Sequence, residues 1–228
     1  MIQRVWERSR TAESLSELVV ATDDTRIEAE VKNFGGNVLM TSTEHPTGTD
    51  RCREALELAE QLFAQSFDAV INIQGDEPFV HPEHINLVAS CFDFADTQLA
   101  TLVKKISRTD DLFNPNIIKV VCSLNHEALY FSRSPIPYLR GKENEQWVHE
   151  GKYLKHIGIY GYRTDVLKKI TDMPPSYLET SESLEQLRWL ENGLRIQLRE
   201  TDLESRSVDS PADLEIILKE MNPKNSGS

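Results

Sequence analysis

Residues 70–80 read Val-Ile-Asn-Ile-Gln-Gly-Asp-Glu-Pro-Phe-Val, which sets two carboxylates, Asp76 and Glu77, directly behind an apolar run. Val70, Ile71 and Ile73 suit a buried strand, Gly75 ends it in a turn, and Pro78 stiffens the exit. In open α/β sheets, ligands gather outside the carboxyl ends of the strands. Paired acids at such an end suit a hard divalent cation and, through it, a phosphorylated substrate. The same pattern also fits an ordinary strand-to-helix loop with solvated acids.

The elements that must position those acids alternate along the chain. Leu18–Thr22 reads as a short buried strand ending in Asp23-Asp24, and Ile27, Val31 and Phe34 mark a helix stopped by Gly35-Gly36. Val38–Thr41 is the next strand. A helix over about residues 49–65 follows, with Leu56, Ala59, Leu62 and Phe63 inward. Pro82 suits a first helical position, with Ile85, Val88, Ala89 and Phe92 on one face. Leu99–Ile106 and Ile117–Cys122 read as strands. This order predicts a mostly parallel α/β sheet with helices on both faces.

The rhythm changes near residue 130. A polar stretch, Gly141–Gly151, separates Tyr130–Arg133 from a strand over Tyr153–Tyr162, so an excursion over about residues 134–162 is expected to project toward a partner, anchored by Trp147. Trp6 and Trp189 are expected to pack within the chain. Leu184, Leu187 and Leu190 mark a helix ended by Gly193, and Ser210-Pro211-Ala212-Asp213 opens a last one. Residues 1–221 read as a single domain and 222–228 as a disordered tail.

A net charge of −12 over 228 residues argues against nucleic-acid or anionic-membrane partners, and any polyanionic substrate then needs a cation and local basic groups. No apolar run is long enough to span a bilayer, and the first residues carry no secretory pattern. Cys52, Cys91 and Cys122 lack metal or disulfide spacing and read as free thiols of a cytoplasmic protein.

Seven segments, in order, resemble the 3-deoxy-manno-octulosonate (Kdo) cytidylyltransferase family. They are Val20-Ala-Thr-Asp23, His45-Pro-Thr-Gly-Thr-Asp-Arg51, Asn72-Ile-Gln-Gly-Asp-Glu-Pro78, Tyr130-Phe-Ser-Arg-Ser-Pro-Ile-Pro137, His156-Ile-Gly-Ile-Tyr-Gly-Tyr-Arg163, Leu184-Glu-Gln-Leu-Arg188 and Val208-Asp-Ser-Pro211. The resemblance implies a Rossmann-like nucleotidyltransferase fold, a homodimer joined through the excursion, and CTP and Kdo as small-molecule substrates. The products would be CMP-Kdo and pyrophosphate, for lipopolysaccharide assembly.

On this resemblance, Asp76 and Asp209 would be catalytic and bind Mg²⁺, since that ion takes one or two carboxylates plus phosphate oxygens and water. Asp209 also suits a helix-dipole role. Thr22, Asp23, Gly48, Thr49, Arg51 and Gln74 would hold the nucleotide: Gly48 lets backbone approach a flat ring, and Arg51 or backbone amides match a base edge. Thr49 or Asp50 also suits a helix cap. Arg133 and His156 would bring positive charge to the sugar acid, while Tyr160, Glu185 and Gln186 bind its hydroxyls. The plainer alternative makes Glu185 and Gln186 surface helix residues and His156 an ordinary strand residue.

The family's opening strand and basic triphosphate loop have no counterpart, because Met1-Ile2 aligns with the helix that follows them. A sheet lacking that central strand would expose unpaired N–H and C=O groups. The chain then reads as N-terminally shortened, either a fragment of an ordinary synthetase or a catalytically silent binding paralogue. A cytidylyltransferase for sialic acid or another acidic sugar is the rival within the class. No GxGxxG follows a strand, which argues against a dinucleotide oxidoreductase.

Overall fold

The computed structural model describes residues 1–204, and within them the alternation read above is realised with a few shifts. Helix α1 (Ile2–Ser9) precedes strand β1 (Val20–Thr22), helix α2 (Thr25–Asn33) and strand β2 (Val38–Met40). Asp24 caps α2 by accepting the Arg26 N–H at 2.7 Å. Gly35 leaves α2 at φ 77°, a left-handed turn that costs glycine little.

Helix α3 (Gly48–Phe63) leads to strand β3 (Ala69–Asn72), and Pro82 opens helix α4 (Pro82–Ser90). On α3, Leu56 and Ala59 are buried, but Leu62 is 55% exposed. The helical repeat gives the inward place beside Leu56 and Ala59 to Phe63, which leaves Leu62 at the edge of the stripe.

Then come β4 (Leu99–Lys105), α5 (Thr109–Phe113), β5 (Lys119–Cys122), β6 (Ala128–Ser132), α6 (Trp147–Glu150), β7 (Leu154–Arg163), α7 (Thr164–Thr171), α8 (Tyr177–Glu182), α9 (Gln186–Glu191) and β8 (Ile196–Glu200). Strand β7 organises the sheet. It pairs antiparallel with β3, β4 and β5, and β4 pairs parallel with β8. Strands β3, β4, β5 and β8 therefore share one direction, while β6 and β7 run against them. Most strands point one way, but the ladders are mixed because β7 lies among them.

Helices cover both faces. On one, Leu56 of α3, Leu167 and Ile170 of α7 and Leu187 and Trp189 of α9 pack with Leu99, Tyr162 and Ile196. On the other, Val5 of α1 and Ile85 and Val88 of α4 meet Ala100, Leu102, Ile157 and Ile159. The closeness of α4 explains Gly161: a Cβ there would lie 2.5 Å from the Phe92 ring and 2.7 Å from Val88.

Strand β7 sits inside the sheet, so the part outside it between β6 and β7 is narrower than expected and ends near residue 153. This excursion has its own small core. Trp147 is 4% exposed, stacks on Tyr153, contacts Tyr138 and Phe113, and donates its Nε1–H to the Lys142 carbonyl at 3.1 Å. Trp147 thus anchors the excursion within its own chain, because the aromatic residues flanking it bury the ring before any partner could.

Strands β1 and β2 form a separate parallel pair. Between β1 and β3 lies a cleft of about 710 Å³, floored by α3 and roofed in part by α1. Among the described residues β1 pairs with β2 alone and β3 with β7 alone. The three cysteines are free, and among the described residues no helix is long and apolar enough to cross a membrane. The expected last helix, Asp209 and the tail lie outside the described residues.

Candidate active site

Capping fixes the first wall of the site. Thr47, not Thr49 or Asp50, caps α3: its hydroxyl accepts the Asp50 N–H at 3.2 Å. That geometry holds Gly48, Thr49 and Arg51 on the first turn of the helix. Gly48 lies against the end of β3, where a Cβ would be 3.7 Å from Asn72 Nδ2. Arg51 donates to Asp23 Oδ2 at 2.8 Å and to the Thr41 hydroxyl at 2.6 Å, tying the α3 turn to the ends of β1 and β2. The hydrogen bond from Arg51 is the main reason the Asp23 carboxyl lies below the usual carboxylate range.

Glu185, just ahead of α9, completes the connection. Thr49 donates to its Oε2 at 2.8 Å and the Thr47 hydroxyl lies 3.2 Å from its Oε1. Burial raises the Glu185 pKa, and the two threonine hydroxyls partly oppose that rise. Beneath it, burial pushes the Cys52 thiol up to about 12, which leaves an inert thiol. Gln186 is buried, so neither it nor Glu185 is a plain surface helix residue.

Tyr160 and His156 lie along β7. Their rings are 5.0 Å apart, and Tyr160 packs edge-on against Trp189 at 5.3 Å. The Tyr160 hydroxyl is buried and has no hydrogen-bond partner among the described residues. His156 departs from expectation. Burial lowers its pKa to about 4, so at neutral pH it brings no positive charge to a sugar acid. The Thr101 hydroxyl donates to the Ile159 carbonyl at 2.7 Å and so accepts from His156 Nε2–H at 2.9 Å, which leaves Nδ1 as an acceptor.

Arg133 also departs from expectation. Its guanidinium donates to the carbonyls of Glu182, Ser183 and Pro115 at 2.6, 3.3 and 3.1 Å, and its backbone N–H to the Glu182 carboxylate at 2.9 Å. Arg133 therefore pins the turn between α8 and α9, which delivers Glu185, because unpaired carbonyls at that turn attract the fork more closely than open solvent does.

Gln74, Gly75 and Asp76 are exposed on the turn after β3, and Gln74 and Gly75 also line the end of the cleft with Gly48 and Arg51. Among the described residues no group of three or more histidines, cysteines and acids forms a metal cage. An exposed carboxylate with hard oxygen donors, beside a substrate that brings its own phosphates, is the kind of site Mg²⁺ takes. Thr22 is buried at the end of β1 and accepts the Asp24 N–H at 3.1 Å. Sequence reasoning missed Thr101, a hydroxyl within the apolar strand Leu99–Val103, and Tyr162, a buried ring of the β7 motif whose hydroxyl bonds Thr49 and Asn72.

The family model described as Cytidylyltransferase matches residues 1–196. The chain belongs to this family. A 3-deoxy-manno-octulosonate cytidylyltransferase of Parabacteroides distasonis is 53% identical to it, over 96% of this chain and 86% of that protein. The enzyme of the same description from Bacteroides thetaiotaomicron is 52% identical, over 94% and 84%. Among solved structures, a CMP:2-keto-3-deoxy-manno-octonic acid synthetase complexed with CTP superposes with a TM-score of 0.88 at 39% identity, covering 98% of this chain and 88% of that one. The mixed sheet of this chain, with helices on both faces, is thus a nucleotidyltransferase fold.

Proposed function

We propose that this chain activates Kdo with CTP, giving CMP-Kdo and pyrophosphate for lipopolysaccharide assembly, as a cytoplasmic, Mg²⁺-dependent homodimer. One observation carries the reading. The turn suited to a nucleotide and the helix suited to a sugar acid are joined at Glu185, whose two oxygens meet Thr49 and Thr47 at 2.8 and 3.2 Å. The relatives named above are enzymes of this activity, and one was solved with CTP.

In the reaction a sugar hydroxyl gives up its proton to solvent, its oxygen forms a bond to the α-phosphorus of CTP, the bond from that phosphorus to the bridging oxygen breaks, and pyrophosphate leaves with the electron pair. Positioning supplies much of the rate in such transfers. Gly48 admits the flat base close to the α3 backbone, and Arg51, held by Asp23 and Thr41, has N–H groups left for a base edge. Glu185 Oε2 accepts the Thr49 hydroxyl, Oε1 lies 3.2 Å from the Thr47 hydroxyl, which donates to Asp50 Oδ2 at 2.7 Å, and both oxygens keep lone pairs for a sugar hydroxyl. The unpartnered Tyr160 hydroxyl gains its hydrogen bond when the sugar enters, and Nδ1 of neutral His156 offers an acceptor beside it. Gln186 supplies an amide from the first turn of α9, and Arg133 steadies the turn that leads there. Asp76, with Asp209, would hold Mg²⁺, which when bound neutralises phosphate oxygens and favours the ionised sugar hydroxyl.

Pyrophosphate release tests the proposal. Release requiring CTP, Kdo and Mg²⁺ together is expected, with N-acetylneuraminate turned over far more slowly. Release with N-acetylneuraminate but not Kdo, or none with either, overturns it. Asp76→Asn is expected to lower kcat/KM about a hundredfold or more without a matching loss of stability. Sedimentation and cell fractionation check the dimer and the compartment.

A further inference from the structure

We propose that Thr101 is a positioning residue for the sugar end of the site. Its hydroxyl closes a bulge in β7 that brings His156 and Tyr160 together, and it orients the His156 ring so that Nδ1 accepts from a sugar hydroxyl. The inference rests on the reading of that end as the Kdo subsite. Strand register carries it. Along β4, Val103 pairs with His156 and Leu102 with Ile157, but Thr101 pairs with Tyr160, so Gly158 and Ile159 are two extra residues on β7. In a regular strand, residues four apart lie about 13 Å from each other. Here the rings of His156 and Tyr160 are 5.0 Å apart, because the bulge removes two steps between them.

The Thr101 hydroxyl holds that bulge shut. It lies 2.7 Å from the Ile159 carbonyl, 3.2 Å from the Ile157 carbonyl and 2.9 Å from His156 Nε2. The single hydroxyl proton serves the carbonyls, so the contact to Nε2 is filled by the proton of the ring. Burial keeps the ring neutral at pH 7, so that proton is the only one it carries. Pairing of β7 with β3 stops at Tyr160 and Asn72, which sets the crest of the bulge past the end of β3. A Cβ on Gly158 there would lie 3.7 Å from Glu77 Oε1, on the turn that carries Asp76. Thr101 itself is 0% exposed and reaches no substrate, so its effect passes through the two rings. Valine would match its shape but supply neither donor nor acceptor.

The test reads the His156 tautomer from nitrogen–proton correlation spectra of the full chain labelled at histidine, assigned by the signals lost in His156→Asn, beside steady-state pyrophosphate release. The parent is expected to show Nε2–H alone. Thr101→Val should give both tautomers and raise KM for Kdo at least about tenfold, with KM for CTP within about twofold. Thr101→Ser, which restores the hydroxyl, should recover the parent tautomer and most of the Kdo affinity. A residue that merely stabilised the sheet would move kcat and both KM values together, or none of them. An Nδ1–H parent, a valine variant with either tautomer or Kdo KM unchanged, or an equal rise for CTP overturns the inference. If the valine variant does not fold, the parent decides: its Nδ1 resonance should move toward the protonated range when Kdo is added, and no movement overturns the inference. A parent that releases no pyrophosphate with Kdo overturns the catalytic reading and this one together, whereas a wrong tautomer overturns this one alone.

Discussion

Two ion pairs show how differently the two sides of the cleft are built. Beyond β3, around β7, Arg188 and Glu179 face each other at 2.5 Å with side chains only 9% and 14% exposed, over a core holding Trp189, Leu187 and Tyr162. On the β1–β2 side, Arg51 and Asp23 are 2.8 Å apart but 23% and 35% exposed. That side has one two-stranded ladder and a small cluster of Leu39, Ala55 and Ala59. The comparison separates two tasks. The β7 side holds the larger core and carries the groups proposed to face the sugar, whereas the β1–β2 side carries those proposed to face the nucleotide, on a lightly packed support.

The sharpest way to break that division is Trp189→Ala. The ring is 1% exposed and packs on Tyr160 and Tyr162, so the variant should lose about 3–5 kcal/mol in urea denaturation. A loss near zero would mean the β7 core is not the stabilising half. Arg188→Ala comes next, at about 3 kcal/mol, because it leaves Glu179 short of its partner in a nearly buried setting. Asp23→Asn, its counterpart across the cleft, should melt close to the parent and instead weaken CTP binding severalfold. Equal destabilisation by the two would erase the distinction.

Glu185→Gln sharpens it at the join. The variant should raise KM for Kdo about tenfold, the cost of a misplaced hydrogen bond, with a smaller change for CTP. Its stability at pH 7 should not fall, because burial raises the Glu185 pKa and the charged form is disfavoured in the fold. The smallest effect is a pH slope. His156 and His84 are held down to about 4 by burial, whereas in the unfolded chain they take protons near 6.5. The unfolded state then binds more protons, so these groups lower stability as pH falls from about 6.5 toward 4. His156→Asn should flatten that slope, and an unchanged slope would place the histidine in solvent.

Local signals were legible and long-range ones were not. Gly35, Pro82 and the Asp76-Glu77 turn sit where spacing put them, because each depends on a few neighbouring residues. Strand direction is not written in alternation, so the insertion of β7 among strands of opposite sense, and the mixed ladders it produces, could not be read. The charge on His156 failed for a related reason. Its surroundings, Thr101 and Phe131, come from other strands and remove it from water. Trp147 looked available to a partner until Tyr138, Phe113 and Tyr153 closed around it. Leu62 was a matter of one residue in helical phase.

Strand β7 has one further consequence. It leaves the excursion right after Tyr153, whose carbonyl accepts the Ile106 N–H at 2.9 Å, and runs through His156 and Tyr160 to end against β3. A strand laddered on both sides cannot slide without breaking those ladders, so the Trp147 cluster and the His156–Tyr160 pair are held at one fixed spacing.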